Sequence, residues 1–140
     1  MRLTSFTDYS VRVLMHVAKK NGALSSIREV SEEYDISKNH LMKIVHALGK
    51  GGYLETVRGK NGGFKLGQDA RNINIGELIR YTEEDMKIVD CLGVKDGFCT
   101  IHNKCHFACI INEARNAFLS TIDKYTLEDI VNERRQMQLS

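Results

Sequence analysis

The chain has 140 residues, no proline, no tryptophan and 27% charged residues. This length suits a single domain with its own core, and the composition suits a helix-rich protein. No stretch approaches the roughly 20 apolar residues of a membrane span, and the first residues lack the apolar run of a signal peptide. These absences argue against a membrane protein and predict a cytoplasmic location, where thiols stay reduced.

Charge is unevenly distributed along the chain. The net charge is +2, but residues 1–66 carry eleven Lys and Arg against six Asp and Glu, whereas residues 67–140 carry nine against twelve. A basic lobe followed by an acidic lobe is typical of a nucleic-acid-binding module joined to a sensing or pairing module. A solvated charged face would explain the charge equally well, so the choice depends on the motifs.

The first fifty residues predict three helices. Apolar residues recur at helical spacing over about 5–20, and the capping-box pattern of Ser26 and Glu29 opens a short second helix. After a turn at 35–37, a third helix is predicted over 38–50. Its inner face would hold Leu41, Ile44, Val45 and Leu48, and its outer face would hold Lys38, Asn39, His40 and Lys43. Two short helices joined by a tight turn, the second with a basic outer face, form a helix-turn-helix.

A glycine-rich hairpin follows the third helix. Residues 53–57 and 64–66 predict two strands, joined by a turn at 58–63 that contains three glycines. We interpret this hairpin as the wing of a winged helix, whose basic tip neutralises phosphates or enters a minor groove. The predicted DNA contacts are Ser37, Lys38, Asn39, His40 and Lys43 in the third helix and Arg58, Gly59, Lys60 and Asn61 in the wing. The serine also fits the role of a helix N-cap.

The predicted fold class is mainly α with a small β-hairpin wing, and three segments are expected along the chain. Residues 1–66 form the winged helix-turn-helix, which is the DNA-binding domain. Residues 67–105 hold a linker helix, which begins at Asn74 or Ile75, and a loop with cysteines. Residues 106–140 hold a long dimerisation helix, a short last helix and a tail.

The long helix, expected over about residues 106–124, is amphipathic. Its apolar positions are Phe107, Ile110, Ile111, Ala114, Ala117, Phe118 and Ile122. So small a lobe cannot cover this stripe, which predicts that a second copy of the chain covers it. Such a homodimer would also carry two recognition helices to half-sites about one DNA turn apart.

Three cysteines lie within fifteen residues, at Cys91, Cys99 and Cys105. Cysteines bunched in one loop indicate a shared metal ion or cluster, or a disulfide, and the reducing location favours metal. The gaps of seven and five residues fit poorly with the closely paired cysteines of zinc sites, whereas thiolates are the usual ligands of iron–sulfur clusters. A structural zinc remains an alternative. An iron–sulfur electron-transfer protein is a further alternative, although the chain has no cofactor-binding motif of an enzyme.

Four segments of the chain resemble the NsrR family of nitric-oxide-sensitive transcriptional repressors. They are Leu3-Thr-Ser-Phe-Thr-Asp-Tyr9, Ser37-Lys-Asn-His-Leu-Met-Lys43, Arg58-Gly-Lys-Asn-Gly-Gly63 and the three-cysteine loop. This family belongs to a superfamily of dimeric iron–sulfur winged-helix regulators that also includes IscR and RirA. The resemblance covers essentially the whole chain.

The resemblance implies a regulator and not an enzyme. It implies an iron–sulfur cluster, either 4Fe–4S or 2Fe–2S, held by Cys91, Cys99 and Cys105. In the family an aspartate from the partner subunit is the fourth ligand, and Asp8 stands at the matching position. A homodimer on a palindromic operator in double-stranded DNA is also implied, with loss of DNA binding when nitric oxide attacks the cluster. An IscR-like role in iron–sulfur homeostasis is the alternative.

The fourth ligand has competing interpretations. Asp8 would also stabilise the start of its helix by charge alone. His102, His106 and Cys109 lie near the three cysteines and could complete the site instead. The two histidines are equally explained as loop and helix-start residues, and Cys109 as a packing residue.

Overall fold

The structure is a computed structural model that describes residues 1–89, 101 and 105–132. Among these residues it is mainly helical with one antiparallel hairpin, which confirms the predicted fold class. A short 3-10 helix at Ala70–Asn72 is an addition to the predicted elements. The elements are α1 (Ser5–Lys19), α2 (Ile27–Tyr34), α3 (Lys38–Lys50), β1 (Leu54–Val57), β2 (Gly63–Leu66), α4 (Ile75–Thr82), α5 (His106–Ile122) and α6 (Leu127–Val131).

The helix-turn-helix is formed by α2 and α3. Ser26 and Ser37 cap the two helices, each accepting a hydrogen bond from the backbone N–H three residues later, which satisfies a donor that the helix itself cannot. Between the helices, Asp35 adopts a left-handed conformation with φ 52°, and this reverses the chain. The helix α3 has the predicted bounds, and its four predicted inner residues are buried.

The hairpin is joined to the helical core by a third extended segment. The pairs of the β1–β2 ladder run from Leu54↔Leu66 to Val57↔Gly63. In addition, Ser25 exchanges two backbone hydrogen bonds with Phe64, at 2.8 and 2.9 Å. The Phe64 side chain is buried in the core. The base of the wing is therefore held by core packing, while its tip projects into solvent.

The core is built around α1. This helix packs against α2, α3, α4, α6 and β2, and it buries Val13, Leu14 and Val17. Each fully buried aliphatic side chain of this kind contributes about 1.5–3 kcal/mol relative to exposure. The last helix, α6, returns to α1 and buries Leu127. This long-range packing has no counterpart in the local sequence pattern.

The C-terminal end of α5 is fixed to both ends of α4. Arg80 donates two hydrogen bonds to the Asp123 carboxylate, at 2.5 and 2.8 Å, and Asn74 donates its side-chain amide to the Asp123 carbonyl at 2.7 Å. The Arg80 hydrogen bonds hold the pKa of Asp123 below its ordinary value. Gly76 faces this carboxylate so closely that a Cβ atom would overlap with it. Glycine is therefore required for the close approach.

The remainder of α5 has little cover. Its only buried residue is Ala108, whereas Phe107, Ile110 and Phe118 are exposed by 59%, 50% and 39%. Of the described elements, α4 makes the main contact with α5. Among the helices of residues 1–89 and 105–132, none has the length and apolarity that a bilayer crossing requires.

Candidate nucleic-acid interface and metal centre

The outer face of α3 is polar, basic and open to solvent. Ser37, Lys38, Asn39 and Lys43 are exposed, as the sequence predicts. Ser37 acts as the helix cap, because its Oγ accepts a hydrogen bond from the His40 backbone N–H at 3.2 Å. The hydroxyl proton remains available to a phosphate oxygen, so capping and DNA contact are compatible.

His40 differs from its neighbours because it lies partly inside the protein. Its ring makes an edge-to-face contact with Tyr9 of α1, with ring centroids 5.1 Å apart. The Arg12 guanidinium lies on the Tyr9 ring at 5.9 Å from the centroid. The first turn of α3 is thus in aromatic contact with α1. The prediction that His40 is a DNA contact stays a prediction, with at most part of its ring available.

The tip of the wing carries the other predicted DNA contacts. Arg58, Gly59, Lys60 and Asn61 are all exposed. Gly59 has φ 110°, a backbone conformation that other residues rarely adopt. A hydrogen bond from the Gly62 N–H to the Gly59 carbonyl at 3.0 Å closes the turn. The tip therefore presents two cations on a tight and open backbone.

The cations of both surfaces are free to bind phosphate. In the described part of the chain, Lys38, Lys43, Arg58 and Lys60 have no carboxylate partner within ion-pair distance. Lys65, lower on the wing, faces Glu55 across the ladder at 3.9 Å. Uncompensated positive charge of this kind is the electrostatic signature of a nucleic-acid surface.

Asp8 lies in the first turn of α1, on the wall of an open groove. Its carboxylate pairs with Arg12 at 2.9 Å, and the two side chains are about half exposed, by 50% and 44%. The groove has a volume of about 670 Å³. It is lined by Arg2, Leu3, Thr4, Ser5, Asp8, Tyr9, Arg12 and Tyr34. A carboxylate with one exposed partner in an open groove can be recruited by a cation from outside.

Cys105 marks the start of α5 and differs from every other helix start in the described residues. Thr4, Ser26, Ser37, Asn74 and Thr126 cap the other α-helices through side-chain hydrogen bonds. Cys105 occupies the same position but makes no capping hydrogen bond. The first N–H groups of a helix and the positive end of its dipole favour an anionic group. Cys105 is partly exposed.

The remaining predicted ligands fall into two groups. Cys91, Cys99 and His102 lie outside the described residues. His106 is the first residue of α5 and is exposed, and Cys109, one turn later, is an exposed free thiol. Within the single chain Cys109 is therefore not buried, and its role as a packing residue stays a prediction. Within the described residues no three His, Cys, Asp or Glu side chains converge on one point, so no second metal centre competes with the cysteine segment there.

The donor set suits an iron–sulfur cluster better than zinc. Thiolates are the usual ligands of such clusters, and one non-thiolate ligand is an established variation. Cys105 offers an uncapped helix start, where backbone N–H groups can donate to cluster sulfides, and Asp8 offers an exposed carboxylate. Among the described residues of a single chain, neither Asp8 nor Cys105 belongs to a group of three or more potential metal ligands.

The last turn of α4, which precedes the cysteine segment in the sequence, contacts both α1 and α3, and sequence reasoning missed these contacts. Thr82 accepts a buried hydrogen bond from Thr7 at 2.8 Å. The Tyr81 hydroxyl donates to the Ala47 carbonyl of α3 at 2.8 Å. Glu83 accepts hydrogen bonds from the Thr4 backbone and side chain. None of these hydrogen bonds has a local sequence signature, because the partners are 34 to 79 positions apart.

Comparison with known proteins agrees with this geometry. The family model Rrf2, described as an iron-dependent transcriptional regulator, matches residues 3–133. The chain is 47% identical to the HTH-type transcriptional regulator NsrR of Bacillus subtilis over 138 residues, which cover 98% of this chain and 94% of that protein. Among solved structures it resembles oxidized CymR of Staphylococcus aureus, with a TM-score of 0.76, 23% identity and coverage of 96% and 99%. It also resembles IscR of T. potens, with a TM-score of 0.74, 21% identity and coverage of 100% and 93%.

Proposed function

The chain belongs to the Rrf2 family of transcriptional regulators, and we propose that it is a cytoplasmic, homodimeric repressor with an iron–sulfur cluster that responds to nitric oxide. Its operator would be a palindrome in double-stranded DNA, bound by α3 in the major groove and by the wing in the flanking grooves. The proposal combines the close relationship to a regulator named NsrR with the position of Asp8. That carboxylate lies in an open groove whose wall contacts the recognition helix.

Cys91, Cys99 and Cys105 of one subunit and Asp8 of the partner subunit would hold the cluster. When bound, the cluster would supply iron that nitric oxide attacks, most readily at the carboxylate, because that donor is harder and more labile than a thiolate. Cys105 would bind at the start of α5, where its own side chain makes no capping hydrogen bond. Asp8 would exchange its ion pair with Arg12 for the metal.

A change at Asp8 can reach the recognition helix through two neighbouring side chains. With Asp8 unligated, its carboxylate holds Arg12 at 2.9 Å. Arg12 packs on the Tyr9 ring, and that ring packs against His40 in the first turn of α3. Release of Arg12 would let the Tyr9 and His40 rings shift, and the first turn of α3 with them. Because base edges are read by hydrogen bonds with fixed geometry, a small shift at this turn is sufficient to weaken operator binding.

The proposed dimer interface is the exposed apolar side of α5. Phe107, Ile110 and Phe118 are large and lie open on a 17-residue helix, whereas monomeric proteins rarely expose so many apolar side chains on one element. Pairing of two such helices would bury them in the manner of a coiled coil. In the proposed dimer, Asp8 of the partner subunit would complete the ligand set of the cysteine segment.

The proposal is tested on protein purified without oxygen and reconstituted with iron and sulfide. We expect broad visible absorption, stoichiometric iron and sulfide, and tight binding of a DNA site that the protein itself selects from a random duplex library. Nitric oxide should bleach the absorption and release the DNA, measured by fluorescence anisotropy. A colourless protein that holds one zinc per chain and binds its site regardless of nitric oxide would refute the sensor and leave the DNA-binding role intact.

A further inference from the structure

One large apolar side chain stands in the middle of the basic outer face of α3. Met42 is 59% exposed, although Leu41 beside it is buried. Asn39 lies three residues before it and His46 four residues after it, so both are its neighbours on the helix surface, and Lys43 is the next residue in the chain. All three are exposed, and α3 contains no Asp or Glu. Met42 is therefore an apolar group surrounded by hydrogen-bonding and cationic groups.

Single exposed apolar side chains are common on protein surfaces, so the position of Met42 carries the argument. On a surface that approaches DNA, the cations bind phosphates and the polar groups bind base edges. The major groove also offers one apolar group, the C5-methyl of thymine, and apolar side chains contact it. A methionine is long, unbranched and polarizable, so it can adapt to such a target.

We propose that Met42 is a specificity-determining residue that packs against the C5-methyl group of one thymine in each operator half-site. The inference rests on the proposed placement of α3 in the major groove and is independent of the cluster. Asn39 lies one turn earlier on the same face, and its amide matches the N6 and N7 edge of adenine. The two side chains would then read neighbouring A·T pairs, with Met42 responsible for the methyl group.

The test removes the methyl group alone. The full-length dimer selects its site from a random duplex library, and each thymine in that site is then replaced in turn by deoxyuridine. At one symmetric position, replacement should weaken wild-type binding about fourfold per half-site. This is the fold-change that corresponds to about 0.8 kcal/mol for one buried methyl. The Met42→Ala variant should bind the thymine and deoxyuridine duplexes with equal affinity.

Two further variants make the test specific. Lys43→Ala removes a proposed phosphate contact nearby, so it should weaken binding to both duplexes by the same factor. The ratio of the affinities for the thymine and deoxyuridine duplexes should then stay at its wild-type value. Met42→Gln keeps the length of the side chain but not its apolarity, so it should lose the ratio as Met42→Ala does. Far-UV circular dichroism and urea unfolding confirm that all three variants fold, which their exposed positions favour.

The outcomes separate the inference from the function on which it rests. If wild-type protein has no methyl-sensitive position, or Met42→Ala keeps the wild-type ratio at every position, the role of Met42 is overturned. If Lys43→Ala also binds as tightly as wild type, the placement of α3 in the major groove fails as well. If no duplex is selected, both the proposed function and the inference are overturned.

Discussion

Replacing Asp8 by alanine distinguishes a ligand role from a structural role, because the contacts of Asp8 in the structure contribute little to the unfolding free energy. The Asp8–Arg12 pair spans one helical turn and is about half exposed, so it contributes about 0.3–0.5 kcal/mol. A carboxylate in the first turn of a helix adds about 0.3–1 kcal/mol through the helix dipole. The cluster-free variant should therefore lose about 1 kcal/mol of unfolding free energy, which lowers Tm by about 3–4 °C.

The effect on the cluster-loaded protein should be much larger. Loss of residues that only support metal ligands already lowers metal affinity by about 10–100-fold, and Asp8 would be a ligand itself. We therefore expect Asp8→Ala to hold iron at least roughly tenfold more weakly, to retain less of it after gel filtration, and to bind the selected operator more weakly as a result. Its binding should no longer respond to nitric oxide. Iron and sulfide assays, the visible spectrum and anisotropy titrations measure these quantities on one preparation.

The chain offers a matched control in α2. Arg28 and Glu32 form another exposed pair across one helical turn, at 2.8 Å. Glu32→Ala should cost a similarly small amount of stability and leave the spectrum and the nitric oxide response unchanged. An Asp8→Ala protein with wild-type iron content and wild-type nitric-oxide-sensitive binding would refute the ligand assignment. A loss of stability well above about 1 kcal/mol would instead show that the fold depends on Asp8.

Three further predictions concern the α4–α5 junction and the wing. Gly76→Ala should lack the stabilisation of up to about 1 kcal/mol that alanine gives over glycine in a helix, because the added Cβ displaces Asp123 from Arg80. Gly49→Ala is the control and should show this gain in urea titrations, since nothing lies within 4 Å of its Cβ position, and equal changes in both variants would contradict the reasoning. The Arg80 hydrogen bonds depress the folded pKa of Asp123 below its ordinary 3.8, so their stabilisation is present above about pH 4 and disappears as pH falls through the folded pKa. In Asp123→Asn the unfolding free energy should fall less steeply than in wild type as the pH drops below about 4. An unchanged pH dependence would disprove the contribution of Asp123. Arg58→Ala should reduce the slope of log K against log salt by about 0.9 for each phosphate that this arginine neutralises, whereas an unchanged slope would remove the residue from the interface.

The recognition helix was predictable from local sequence because several independent signals agree there. Ser37 supplies an N-cap, and the apolar residues from Leu41 to Leu48 follow a helical period. Both the bounds and the buried face of α3 are as predicted. His40 is the exception, since it lies beside the buried stripe, four residues before Ile44, where a neighbouring ring can cover it. That ring belongs to Tyr9, 31 positions earlier in the sequence.

The contacts that join the elements were not predictable in the same way. The Arg80–Asp123 clamp and the Ser25–Phe64 bridge connect residues about forty positions apart, and neither partner has a distinctive local pattern. Such pairs are determined by the packing of whole helices, which depends on tertiary geometry and not on local propensity. The cysteine segment is the reverse case, because its spacing predicts a shared metal group or a disulfide, while Cys91 and Cys99 lie outside the described residues.

The last turn of α4 explains how the proposed sensor could act on the DNA-binding helix α3 through only a few side-chain contacts. This turn directly precedes the segment that leads to the cysteines, and Thr82 in it binds α1 through Thr7 while Tyr81 binds α3 through the Ala47 carbonyl. Displacement of the cysteine segment would therefore reach both the helix that carries Asp8 and the recognition helix in a single step. The cluster of the partner subunit, ligated by Asp8 of this α1, would act on the same helix through Arg12 and Tyr9. Because both routes end on α3, the position of the recognition helix would depend on both subunits, which is what a two-fold operator requires.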